Sequence, residues 1–394
     1  MDQKLFSVII LCYDQTDYLP AALDSVLCQS YENIELIISD DASAYFPQNQ
    51  IQTHISQKKR DNISKVTIRK ENENVGIVKH LNHVLPLCHG DYIVVLSADD
   101  TFCDENVLSK YVSNFEAMDP DCCVQLAQVS MYDESLKRLQ YYYITPGMRK
   151  VIEAATTNQK ELLYTVLQFG DLLPSVGLCY KKEFFEVFGD FDERFTHIQG
   201  YPMYLRIAKE NIHIGYSNFV AVKHRFGGLF WDGRNASRQT LILVWKDLRK
   251  VNQDILKNDL SILPIKRRQD AVSRAKWQLR CADAKLVELE ATPKNRLLFL
   301  LHHPCLAFRF LLNRLYPLAD KCHISALKLW LMFLFFSSTI TQMLETVLDV
   351  SSDRLILFPF VVAALSFIVW ALSFTVWLLQ QIFYKGDLYP PLDD

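Results

Sequence analysis

The sequence predicts an α/β protein built on a parallel sheet, followed by a helical, membrane-associated C-terminal region. Three observations carry this. Short apolar runs rich in branched residues alternate with helical patterns as far as Asp100. Two of those runs end directly in acidic pairs. Beyond about Ser237 the pattern turns helical and basic, and then strongly apolar.

Phe6 to Leu11 (FSVIIL) reads as a buried parallel strand. Leu19, Leu23, Val26 and Leu27 follow at helical spacing, with Asp17 as the expected N-cap and Pro20 in the first turn. Ile34 to Ile38 is a second buried strand that runs into Ser39, Asp40 and Asp41. Val66 to Arg69 makes a weaker third strand, and Ile77, Leu81, Val84 and Leu85 mark another helix, closed by Gly90. Tyr92 to Leu96 is the fourth strand and runs into Asp99 and Asp100. Strands and helices alternating at this spacing argue a parallel sheet. Ligands bind such sheets at the carboxyl ends of the strands, where both acidic pairs fall.

Composition narrows the function classes. Half of the 394 residues are hydrophobic, which argues against disorder. A formal net charge of -3 predicts no nucleic-acid partner, although the stretch from Lys266 to Lys328 is locally basic. The ten cysteines are scattered and form no C-x-x-C pair, so neither a zinc site nor a redox pair is expected. They read as small core residues in a reducing compartment. No signal peptide is expected, because only Lys4 precedes a short apolar run.

Adjacent carboxylates at a strand end repel each other unless a cation or hydrogen-bond donors neutralise them. Asp99 and Asp100 therefore suit a hard divalent ion, Mg²⁺ or Mn²⁺, which would also hold a diphosphate. They equally suit a solvated turn before a helix N-terminus. Asp40 and Asp41 suit recognition of a base and ribose, or a turn cluster with Ser43.

The segment FSVIILCYDQTDYLPAALDSVLCQSYENIELIISDDAS resembles the opening of family-2 glycosyltransferases of the GT-A (Rossmann-like) fold. ENVGIVKHLNHVLPLCHGDYIVVLSADD resembles their next block, which ends in the DxD-type metal motif. VFGDFDERF, YPMYLRIAKENIHIGY and VKHRFGG resemble the later blocks, in family order, over roughly residues 5 to 228. The resemblance is to the bacterial cell-surface polysaccharide type. It implies a nucleotide-sugar donor, Mg²⁺ or Mn²⁺, and single displacement with inversion at the anomeric carbon. It also implies roles. Tyr13 lies near the nucleobase and Asp41 hydrogen-bonds it. Asn74, Gly76 and Asn82 form the N-x-G-x(5)-N pattern near the nucleotide. Asp99 and Asp100 meet the sugar diphosphate, with Asp100 the direct metal ligand. His224 matches a histidine that approaches the metal or diphosphate, although a lone histidine also suits a structural role.

Two positions depart from the family. Ser97 stands where an Asp is frequent, and Gln199-Gly200 stand where an acid supplies the general base. Neither Gln199 nor Gly200 accepts a proton usefully near neutral pH. The nearby titratable groups are Asp192, Glu193 and His197; Asp192 and Glu193 also read as a structural turn. Either the base has moved, or the acceptor is a phosphate that needs none. A lipid-linked saccharide is the expected acceptor. A polyprenyl phosphate is the alternative, and a membrane-bound scaffold without activity is a third reading.

The remaining expectations concern the membrane. Arg296 to Leu318 mixes aromatic and aliphatic residues with Arg and reads as a helix in a membrane interface. Leu329 to Leu344 and Leu355 to Tyr384 read as a transmembrane hairpin, with a single span as the alternative. The basic flank before Leu329 places the catalytic domain on the cytoplasmic side. The expected division is a catalytic domain over 1–235, a basic interface region over 236–325, the hairpin over 326–384 and a cytoplasmic tail over 385–394. Self-association into a homo-oligomer stays open.

Overall fold

A computed structural model describes residues 4–169, 173–210, 212–226, 237–260 and 263–290. The interface helix, the hairpin and the tail expected after residue 291 lie outside the described residues. Among the described residues, no helix is long and apolar enough to cross a membrane.

The described strands form a single sheet. They are β1 (Phe6–Cys12), β2 (Ile34–Asp40), β3 (Ile63–Lys70), β4 (Tyr92–Ser97), β5 (Thr101–Phe102), β6 (Cys122–Tyr132), β7 (Leu139–Tyr142), β8 (Leu178–Lys181) and β9 (His213–Arg225). The order across the sheet is β3-β2-β1-β4-β8-β6-β9-β5, with β7 paired to β6. The four strands expected from the sequence are all present, and they pair in parallel. The other half of the sheet, beyond the strands traced from the sequence, is mixed. β8 runs antiparallel to both β4 and β6, β5 runs antiparallel to β9, and β6 and β9 are parallel. Strand direction there depends on long connections, to which local periodicity is blind.

Among the described residues, ten α-helices join or cover the strands: α1 (Leu19–Leu27), α2 (Gln48–Lys58), α3 (Ile77–Val84), α4 (Val107–Ala117), α5 (Pro146–Thr157), α6 (Gln159–Phe169), α7 (Lys182–Phe188), α8 (Gly200–Lys209), α9 (Arg238–Asp254) and α10 (Ile265–Glu290). The alternation along β1 splits the core between the two faces of the sheet. Phe6, Val8, Ile10 and Cys12 pack with α1, α2 and α4, while Ile9 and Leu11 pack toward α3 and α5 to α10. Met1–Ala291 form one compact unit, so α9 and α10 belong to it, and the boundary expected near residue 235 falls inside it.

Two local expectations are corrected. Tyr18, not Asp17, is the N-cap of α1, and no side chain caps that end. The Tyr18 ring instead lies 4.1 Å under the Arg225 guanidinium. Gly90 does not close a helix: a 3-10 turn over Leu85–Leu87 follows α3. Gly90 allows a close backbone approach, since a Cβ there would lie 2.5 Å from the Ser7 nitrogen.

Candidate functional site

A cavity of about 300 Å³ opens at the carboxyl ends of β1, β2 and β4. It is lined by Tyr13, Asp41, Asn74, Gly76, Asp99, Asp100, His197 and His224, all expected from the sequence. Gln15, His80, Gln199 and Gly200 line it as well. Its other wall is largely apolar, with Leu173, Pro174, Val176, Tyr180 and Met203.

The β1 and β2 ends are held in unusual backbone conformations. Asp14 has φ 50° and Ala42 has φ 62°. For a residue with a Cβ this left-handed region costs roughly 1–2 kcal/mol, and such strain collects where function fixes the chain. Side chains hold the turns in place. The Asp14 N–H donates to Ser43 Oγ at 2.8 Å, the Ala44 N–H to Asp14 Oδ1 at 3.1 Å and the Ser43 N–H to Asp40 Oδ2 at 2.8 Å. Asp40 is thus spent on the turn. Cys12 lies beside it, and burial, then the Asp40 charge, pushes its thiol up to about 12, so it stays protonated.

Asp41 is buried and holds the residues that lead into α3. Its oxygens accept from the Val75 N–H at 2.9 Å and the Gly76 N–H at 3.0 Å. Gly76 has φ 84° and ψ 158°, a conformation essentially confined to glycine. Asn74 Oδ1 also accepts from the Gly76 N–H, at 3.2 Å. Asn82 has another task. Its amide donates to the Phe191 carbonyl at 2.9 Å and to Glu193 Oε1 at 3.0 Å, and its oxygen accepts from the Phe191 N–H. Asn82 and Glu193 thus fasten the 191–193 turn to α3, and neither lines the cavity.

The acids after β4 are partly satisfied. Asp100 is fully buried and pairs with His224 Nδ1 at 2.8 Å and with the Arg225 N–H at 3.1 Å. Burial alone would lower the His224 pKa, but the Asp100 carboxylate turns the net shift upward. Asp99 Oδ2 accepts from Gln15 Nε2 at 2.8 Å, whereas Asp99 Oδ1 is buried with no partner. Burial, then the neighbouring Asp100, raises the Asp99 carboxyl above its ordinary range. Arg225 steadies this turn through its Nε–H to the Asp99 carbonyl at 2.9 Å.

The orphaned Asp99 oxygen and the paired carboxylates are donor chemistry that fits a hard divalent cation. Among the described residues, no three His, Cys, Asp or Glu side chains are already grouped as a metal site. His224 Nδ1 is taken by Asp100, so as a metal ligand it would use its other nitrogen.

The candidate bases separate. Asp192 lines a different, smaller cavity of about 190 Å³ and is paired with Arg194, which also holds Asp254. Burial acts to raise its pKa, but the Arg194 hydrogen bonds prevail and lower it. Asp192 is therefore a structural ion pair. Only His197 of the three lines the main cavity, and its Nδ1 is buried without a partner. Burial lowers its pKa against the opposing pull of Asp247 and Asp41, so the imidazole is neutral at neutral pH.

Residues 7–169, under half of the chain, match the model of the family described as Glycosyl transferase family 2, which supports a glycosyltransferase with an α/β fold of GT-A type. An uncharacterized glycosyltransferase of Rickettsia felis is 26% identical over 222 residues, 56% of this chain and 34% of its own length. A counterpart from Rickettsia typhi shows the same identity over 64% of its length. The glycosyltransferase GlyG of Streptococcus pneumoniae is 26% identical over 234 residues, 57% of this chain and 73% of its own. The match thus spans about a third of the first relative and under two thirds of the second. Among solved structures, S. aureus TarS in complex with UDP aligns over 73% of both chains at 16% identity, with a TM-score of 0.43. The mannosyltransferase PcManGT from Pyrobaculum calidifontis, in complex with GDP-Man and Mn²⁺, aligns over 78% of this chain and 81% of its own at 16% identity and a TM-score of 0.49. Likenesses at this level leave donor and metal open.

Sequence reasoning missed Gln15, His80 and Asp247. His80 is buried and lies 2.6 Å from Ser39 Oγ, behind the Asp41 turn. A polar residue just after a strand end was a usable signal for Gln15. No local signal pointed to Asp247.

Proposed function

We propose that the chain transfers a sugar from a nucleoside-diphosphate donor to a membrane-linked saccharide hydroxyl, with inversion. The observation that carries this is one cavity holding Asp41, Asp99, Asp100 and His197 at the carboxyl ends of parallel strands, within and beside the family-2 domain. Asp41 faces the base and ribose, and its grip on Val75 and Gly76 keeps the α3 terminus in register with the donor. A divalent Mg²⁺ or Mn²⁺, held by Asp99 and Asp100, would offset the charge growing on the departing diphosphate. His224, paired with Asp100, stands on the same side of the cavity. His197, neutral and lining the cavity, accepts the acceptor proton in place of the missing acid at Gln199-Gly200.

A neutral imidazole lining the cavity favours a hydroxyl acceptor over a polyprenyl phosphate. The apolar wall from Leu173 to Val176 suits an acceptor joined to a lipid. On this reading the C-terminal segments hold the domain on the cytoplasmic face of a membrane, where the acceptor is concentrated.

The test is donor turnover by the full-length protein, with and without EDTA, for wild type and Asp100→Ala. Removal of metal and the substitution should each lower turnover by about 10²–10³-fold. Mass spectrometry of the product should find the sugar on a hydroxyl. Metal-independent turnover in Asp100→Ala at the wild-type rate would refute the assignment.

A further inference from the structure

Asp247 lies on α9, outside the family-2 match and outside the cavity lining. It is buried, on the helix face that also buries Val244 and Val251. One of its oxygens, Oδ2, accepts three successive backbone N–H groups: Thr196 at 2.7 Å, His197 at 2.7 Å and Ile198 at 3.3 Å. A carboxylate is an acceptor strong enough to hold three donors converging on one point. The other side of the same segment is fixed by α3. The Val78 N–H donates to the Thr196 carbonyl at 3.3 Å. Thr196 fills the space above Gly76, where a Cβ would come within 2.6 Å of Thr196 Cγ2.

We infer that Asp247 is a positioning residue: it holds the 196–198 backbone so that the His197 ring enters the cavity facing the donor residues. The inference rests on the reading of His197 as the base. The segment is clamped between a donor-binding element, Asp41 with Gly76, and a helix that follows the family domain. The missing acid at Gln199-Gly200 is thus compensated in two parts. His197 supplies the accepting nitrogen, and a carboxylate on a distant helix supplies its fixed placement and negative charge. Asp247 on α9 and Asp41 after β2 both act on the His197 titration, and His80 on α3 lines the same cavity.

The experiment uses full-length wild type, Asp247→Ala and Asp247→Asn, with UDP-GlcNAc and GDP-Man as donor probes. Three quantities are read: UDP and GDP affinity by calorimetry, kcat and KM for donor turnover, and the His197 ring titration by NMR, assigned with His197→Ala. Asp247→Ala should lower kcat by about 10–100-fold while donor affinity and KM stay within about twofold. Asp247→Asn keeps an oxygen able to accept the N–H groups and should retain most of kcat. Its His197 midpoint should nevertheless fall, because the negative charge is gone. A folded Asp247→Ala with wild-type kcat would overturn the inference, as would equal losses in kcat and donor affinity. Failure of the functional reading looks different: wild type would then bind and turn over neither probe. The NMR arm still decides the inference in that case, for a His197 midpoint and shift unmoved in Asp247→Ala and Asp247→Asn would refute it.

Discussion

The two ends of the parallel half-sheet carry buried acids of opposite character. At the amino end, Glu35 on β2 is completely satisfied. It accepts from Ser7 Oγ and the His89 N–H, each at 2.8 Å, and pairs with His89 Nδ1 at 2.8 Å and Lys65 at 3.1 Å. Ser7 Oγ in turn accepts from the Gly90 N–H at 2.9 Å. At the carboxyl end, Asp99 keeps an orphaned oxygen, and His197 keeps an orphaned nitrogen. The first cluster sits on β1, β2 and β3 with the residues before β4, and the second lies at the opposite end, with Asp99 just after β4 and His197 just before α8. A closed network holds the fold together, whereas an open one leaves capacity for a ligand, at a cost in stability.

Glu35→Ala should break the first cluster with the largest effect on stability. It should lower unfolding free energy by about 2–4 kcal/mol, measured by urea denaturation, with kcat unchanged. A pH effect follows from the same group. Burial acts to raise the Glu35 pKa, but the donors from His89, Ser7 and Lys65 prevail and depress it. Its contribution to stability is therefore present above the unfolded value of about 4.3 and lost as pH falls through the folded one. Wild type should lose stability between about pH 4.3 and lower values more steeply than Glu35→Gln. Parallel acid profiles would show that the network does not hold the charge.

Gly76→Ala should sharpen the comparison from the other side, with a smaller effect on stability and a larger one on activity. The backbone there is strained for any residue with a Cβ, at about 1–3 kcal/mol. The added methyl also meets Thr196, so the clamp on His197 must shift. Turnover should fall more than tenfold while the protein stays folded, read by kinetics beside a thermal melt. A fall in stability with unchanged turnover would detach Gly76 from the site.

The parallel half of the sheet and the acids at its carboxyl end were legible because buried strands running straight into charge are a local pattern. Asp41, Asp99 and Asp100 were found that way. The family resemblance implied a donor role for Asn82, and proximity to Gln199-Gly200 singled out Glu193, but their side chains turn toward each other, and neither signal carries side-chain direction. The mixed half was hidden because β8 inserts between β4 and β6 from far along the chain. Asp247 was hidden for the same reason, being some fifty residues from the amides it holds.

The central claim is that the open end of the sheet binds a nucleoside diphosphate. The most direct test is calorimetric titration of UDP, GDP and dTDP into full-length wild type and Asp100→Ala, with Mn²⁺ present. At least one nucleotide should bind wild type with one-to-one stoichiometry and bind Asp100→Ala at least about tenfold more weakly. Binding of none of the three to wild type, or equal binding to both proteins, would contradict the account.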